Sequence, residues 1–117
     1  MSYDIYLCDP VTKEELKCDP HQIRGGTYCV GGTDRLWLNI TYNYGTHFYR
    51  VFGEKGIRTI YDMSAVDSIP LLEKAISQLG DDVHDNYWES TEGNAKRSLH
   101  GLLALAKLRP DGVWQGD

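Results

Sequence analysis

Over residues 3–8, Tyr3, Ile5 and Leu7 alternate with Asp4, Tyr6 and Cys8, the period of two expected of a strand with one buried face. Asp9-Pro10-Val11-Thr12 has turn chemistry, with proline preset for the second turn position, and residues 15–18 can return as a second short strand. Glycine pairs at 25–26 and 31–32 bracket residues 27–30, a β-prone piece read as a third strand. The longest alternation covers 35–44. There Trp37, Asn39, Thr41 and Asn43 share one face, while Leu36, Leu38, Ile40, Tyr42 and Tyr44 share the other. Burial of the second face leaves an aromatic and amide row for solvent or a partner.

The period changes in the second half of the chain. Phe48, Val51 and Phe52 fit helical spacing, although β-propensity is also high, so helix is favoured for 47–52 while 47–61 stays open between helix and strand. Ser64-Ala-Val-Asp67 has the form of a capping box, and Ser68 with Pro70 is an alternative helix start. The stripe Leu71, Leu72, Ala75, Ile76 and Leu79 is expected to pack on the sheet until Gly80 ends it. Residues 81–88 form a polar, acidic loop with an aromatic anchor at its end. Ser90 or Thr91 can cap a last helix striped by Ala95, Leu99, Leu102, Leu103 and Ala106, which Pro110-Asp111-Gly112 terminates. The expected fold is α+β. An N-terminal antiparallel meander of about four strands packs against two main C-terminal helices, within one domain over residues 1–117.

Composition narrows the function classes. The chain has 117 residues, 41% hydrophobic and 25% charged, which suits a folded core rather than a disordered or fibrous chain. The longest apolar run, residues 102–106, is far shorter than the roughly 18–20 residues of a membrane span. The N-terminus lacks the basic start and apolar stretch of a secretory signal. Three cysteines, an odd count, fit reduced thiols and a cytoplasmic setting. A net charge of −5 argues against direct nucleic-acid binding, which needs a basic stripe.

Several residue groups could carry chemistry. Cys8, Cys18, His21 and Cys29 are zinc-ligand types, but only Cys18-x-x-His21 has a chelating separation, so free thiols are expected, with no metal or cofactor. A cysteine or Ser98 activated by His47, His84 or His100 lacks any nucleophile motif. The glycine pairs do not lead into a helix, as phosphate-binding loops do. Trp37, Asn39, Thr41, Asn43, His47 and Arg50 make the candidate binding face, combining stacking surface with amide and cationic donors, and Tyr44 is a further candidate binding residue. A solvated or helix-covered sheet face would account for them equally well. Trp88 and Trp114 fit the edge of a small core, and Asn94 a brace for the loop before its helix.

Three stretches carry a family resemblance: Ser-Tyr-Asp-Ile-Tyr-Leu-x-Asp-Pro at 2–10, Leu-Asn-Ile-Thr-Tyr-Asn-Tyr at 38–44 and Pro-Asp-Gly-Val-Trp-x-Gly-Asp at 110–117. They resemble those of small hypothetical proteins of bacteria, their phages and integrated elements. The resemblance implies a genomic setting in which small acidic proteins act by binding a host or competing-element protein. The leading expectation is therefore a noncatalytic binding protein with a protein partner, such as an inhibitor or anti-defence factor. Alternatives are a binder of a small anionic ligand such as a nucleotide, held by His47 and Arg50 with Trp37 or Tyr44 stacking, and a small hydrolase using His47 or His100. A homo-oligomer is compatible with all three.

Overall fold

The computed structural model describes residues 1–21 and 32–117. Strand β1, Ser2–Cys8, buries Tyr3, Ile5 and Leu7 as its alternation requires. It is the middle strand of an antiparallel sheet ordered β4-β1-β5, where β4 is Trp37–Thr41 and β5 is Val113–Gly116. Two further strands, β2 (Lys17–His21) and β3 (Thr33–Arg35), pair separately. The antiparallel strands are therefore not paired in chain order. Cys8 and Glu15 form a single bridge where a full first hairpin was expected, because the returning segment leaves β1 to join β3. The third strand anticipated at 27–30 lies outside the described residues.

The turn between β1 and β2, where turn chemistry was expected, is held by the Asp9 side chain. Asp9 Oδ1 accepts from the amides of Val11 at 2.8 Å and Thr12 at 2.9 Å. These bonds, Thr12's foremost, keep the Asp9 carboxyl below the usual carboxylate range. A depressed folded value stabilises the turn fully above the unfolded pKa of about 3.9, and that stabilisation is lost as pH falls through the lower folded value. Carbon-13 titration of the Asp9 carboxyl should give a midpoint below that of an unstructured aspartate. A midpoint at or above it would mean that the turn is not held this way.

The long strand read over 35–44 is shorter than its alternation suggested. Leu36, fully buried, separates β3 from β4. At the other end the Thr41 hydroxyl accepts from the Asn43 amide at 3.2 Å and starts a 3₁₀ turn, Tyr42–Tyr44, that runs into helix α1, Gly45–Phe52. A threonine that caps the next turn ends the strand that carried it. Helix thus prevails over 47–52, and 56–60 forms a second 3₁₀ turn, Gly56–Ile60. Gly53, at φ +99, ends α1 with its amide bonded to the Tyr49 carbonyl at 3.0 Å, a conformation that disfavours a side chain.

Helix α2, Ala65–Ser77, begins where the capping box placed it, with Ser64 Oγ accepting from the Asp67 amide. Helix α3, Glu92–Leu108, is capped by Thr91, which accepts from Asn94. Leu72, Ala75, Ile76 and Leu79 are buried as their spacing predicts. Their principal neighbour is α3 rather than the sheet, and α3 is the helix that meets β4. The C-terminal tail supplies an unexpected strand. In β5, Trp114 stands opposite Leu7 of β1, and its other edge bonds the backbone of Asp62 and Met63. The carbonyls of Pro110 and Gly112 accept from the free amides of Val66 and Ala65 at the start of α2. Among the described residues no helix is long and apolar enough to cross a membrane.

Candidate functional site

Pairing across β1 and β4 divides the seven candidate residues into two groups. Tyr6 stands opposite Trp37 and Asp4 opposite Asn39, so these four side chains share the sheet face turned away from the helices. Asn39 Nδ2 donates to Asp4 Oδ1 at 2.8 Å and to Ser2 Oγ at 2.6 Å. The Arg35 guanidinium lies 4.7 Å from the Trp37 ring centre and is itself held by both carboxylate oxygens of Glu15, at 2.8 and 3.2 Å. On β5, Gln115 stands opposite Tyr6 and extends the row.

The other candidates turn toward the loop between α2 and α3. Thr41 is buried, and its amide donates to the Tyr87 hydroxyl at 2.8 Å. Asn43 lies in the 3₁₀ turn rather than on the strand face read from sequence, and its Nδ2 donates to the Trp88 carbonyl at 2.8 Å. Tyr44, fully buried, donates to the Tyr87 carbonyl. His47 Nε2 bonds the Ser90 carbonyl at 3.1 Å. Arg50 pairs with Glu92 and reaches the Gln78 carbonyl at 3.4 Å. Burial, and then Tyr87, raises the Tyr44 pKa well above that of a free phenol, so it stays a donor. Five of the seven residues thus hold residues 78–92 against α1. Thr41, opposite Ser2, keeps the strand register of Trp37 and Asn39 but is buried, and the other four do not form one face with them.

The same loop is braced from α3. Asn94 Oδ1 accepts from the His84 amide at 3.0 Å, while its Nδ2 donates to the Asn86 and Glu89 carbonyls, both at 3.1 Å. This is the role its position at the helix start suggested. Trp114 is fully buried, in keeping with its reading as a core residue, whereas Trp88 is 57% exposed and does not close the core edge.

Of the zinc-type residues, Cys8 is buried, its thiol pushed up by burial. The Cys18 thiol faces the Asp19 carbonyl and His21 Nε2 faces the Arg35 carbonyl. Cys29 lies outside the described residues. No group of three metal-ligating side chains occurs among the described residues. His100 is exposed on α3.

A feature absent from the sequence reading lies on another side of α1. Tyr3, Tyr42, Gly45, Thr46, Tyr49 and Arg58 line an open cleft of about 330 Å³. The Arg58 guanidinium sits 4.9 Å from the Tyr3 ring centre and 5.6 Å from that of Tyr42. These residues come from β1, two 3₁₀ turns and α1, so no local motif could have announced them. The chain's eight tyrosines were the one compositional hint. Comparison with protein-family models, curated proteins and solved structures finds no match to this chain.

Proposed function

We propose that the protein is a noncatalytic binding protein of a phage or mobile element, acting as an inhibitor or anti-defence factor by protein–protein contact through the outward sheet face. The observation supporting this is the cross-strand pair of Trp37 and Tyr6, with Arg35 laid over the indole and Asn39, Asp4 and Gln115 around them. Tryptophan, tyrosine and arginine dominate binding energy at interfaces, and here all three come together from β4, β1 and β3. The partner contributes an apolar or aromatic side chain to the Trp37–Tyr6 pair and polar groups to its amide rim.

Trp37→Ala, which leaves the apolar side of β4 untouched, should fold normally. As an interface anchor it should weaken a captured partner by about 30-fold, the equivalent of 2 kcal/mol. Affinity capture from a bacterial lysate provides the measurement, with Trp88→Ala as the exposed-indole control and Asn43→Ala and Arg50→Ala testing the loop side. A protein retained equally by Trp37→Ala and wild type does not use this face. Retention of every captured protein would refute the proposal.

A further inference from the structure

We infer that the cleft lined by Tyr3, Tyr42, Tyr49 and Arg58 is a binding site for a small aromatic carboxylate, and that Asp117 is its tethered competitor. The carboxylate preference is visible in how the chain uses the neighbouring donors. Tyr42 donates to Asp117 Oδ2 at 2.7 Å and Tyr61 to Asp117 Oδ1 at 3.0 Å. Arg58 lies 3.6 Å from the same Oδ2 and donates to the Tyr42 hydroxyl at 3.3 Å. Two phenol hydroxyls and a guanidinium thus converge on one carboxylate, beside a cleft that Tyr42 and Arg58 also line.

The aromatic preference follows from the walls. Tyr3 and Tyr42 meet edge to face with ring centres 4.6 Å apart, and Tyr49 is 47% exposed beside them. A planar ring entering here gains the edge and offset contacts that aromatic groups favour. A volume of about 330 Å³ is at the small end of ligand pockets. It suits one ring with its acid group rather than a nucleotide. In the bound state the ligand carboxylate takes Arg58 from Asp117, and the ligand ring lies against Tyr49 with Thr46 at the rim. Nothing in this exchange involves Trp37, Asn39 or Arg35, so it is independent of the outward sheet face.

The same chemistry, a ring bearing a carboxylate, belongs to a free aromatic acid and to a peptide ending in an aromatic residue. Amide shift titration of the nitrogen-15-labelled full chain with phenylacetate and N-acetylphenylalanine distinguishes them by which binds more tightly. Either result supports the site, provided that saturable shifts centre on Gly45, Thr46 and Tyr49. Asp117→Ala should bind at least about tenfold more tightly than wild type, because a site held by a tethered group binds in proportion to the fraction of time it is open. The neutral amides of both probes should bind at least about tenfold more weakly. Thr46→Trp, at an exposed position, should fill the cleft and abolish binding without depending on the fold's tolerance of Arg58 substitutions. Absence of saturable shifts in Asp117→Ala, equal binding of acid and amide, or unchanged affinity on removing Asp117 would each overturn the inference.

Discussion

Trp114→Ala is expected to lower the unfolding free energy by about 3–5 kcal/mol, the range for emptying the largest aromatic positions of a core. Trp114 is fully buried, and its indole Nε1 donates to Ser68 Oγ at 2.8 Å, joining β5 to α2. Its backbone bonds Asp62 and Met63 on one edge while the residue faces Leu7 across the other. The Ser68 hydroxyl still donates to the Ala65 carbonyl at 2.7 Å when the indole is gone, so no donor is stranded and the cavity dominates the loss. Trp114→Phe keeps most of the ring volume and loses one hydrogen bond, so about 1–2 kcal/mol is expected. A domain of this size has about 5–15 kcal/mol to lose, which makes the alanine variant marginal. Denaturant unfolding should show a lower midpoint with an unchanged slope. A loss below about 1 kcal/mol for the alanine variant would mean that β5 does not anchor the core.

The strand that depends on Trp114 was also the element least legible in the sequence. Residues 113–116 are too few to show a period, follow a helix-ending Pro110-Asp111-Gly112, and owe their conformation to partners at 5–8 and 62–64. Tyr3, Ile5 and Leu7, by contrast, declare their face through alternation alone, and Ser64 and Thr91 declare helix starts through local capping chemistry. The same division runs through the candidate site. Trp37 and Asn39 were placed correctly on one outward face because a period of two decides it. Asn43 leaves that face, and neither its contacts nor those of His47 and Arg50 could be read locally, since their partners are the Trp88 and Ser90 carbonyls and Glu92, more than 40 residues downstream. Every residue carries a carbonyl, so no residue type marks the one that will be used. The tyrosine cleft is harder still, being assembled from side chains at positions 3, 42, 49 and 58.

Residues 78–92 are where α1 and α3 meet indirectly. From one side come Asn43, Tyr44, His47 and Arg50, and from the other Asn94. With both sides satisfied, a polar connection with few buried apolar contacts has a defined path. Its weak point is steric. Gly93, in the first turn of α3, is buried against the loop backbone. A Cβ there would lie 2.5 Å from the Val83 nitrogen and 2.6 Å from the Asp82 carbonyl carbon.

Gly93→Ala should therefore destabilise the protein by about 2 kcal/mol, in the range of overpacked positions, although alanine is the better helix former by roughly 1 kcal/mol. The obstacle is backbone, so no rotamer change relieves it and the loop must move away from α3. That movement breaks the bond from the Gly93 amide to Asp82 Oδ1, 3.0 Å long, and the bond between the His84 amide and Asn94. Asn94→Ala provides the comparison, since it removes the three side-chain bonds without adding bulk and should cost about 1–2 kcal/mol by leaving part-buried backbone groups without their protein partner. Both variants should accelerate hydrogen exchange at His84 while leaving β1 amides protected to the new global limit. Should Gly93→Ala instead raise the thermal midpoint, as alanine does in an unobstructed helix, the close approach of residues 82–83 to α3 would be refuted. If the exchange at His84 rises only in Asn94→Ala, the loop is held by its hydrogen bonds alone and not by contact with Gly93.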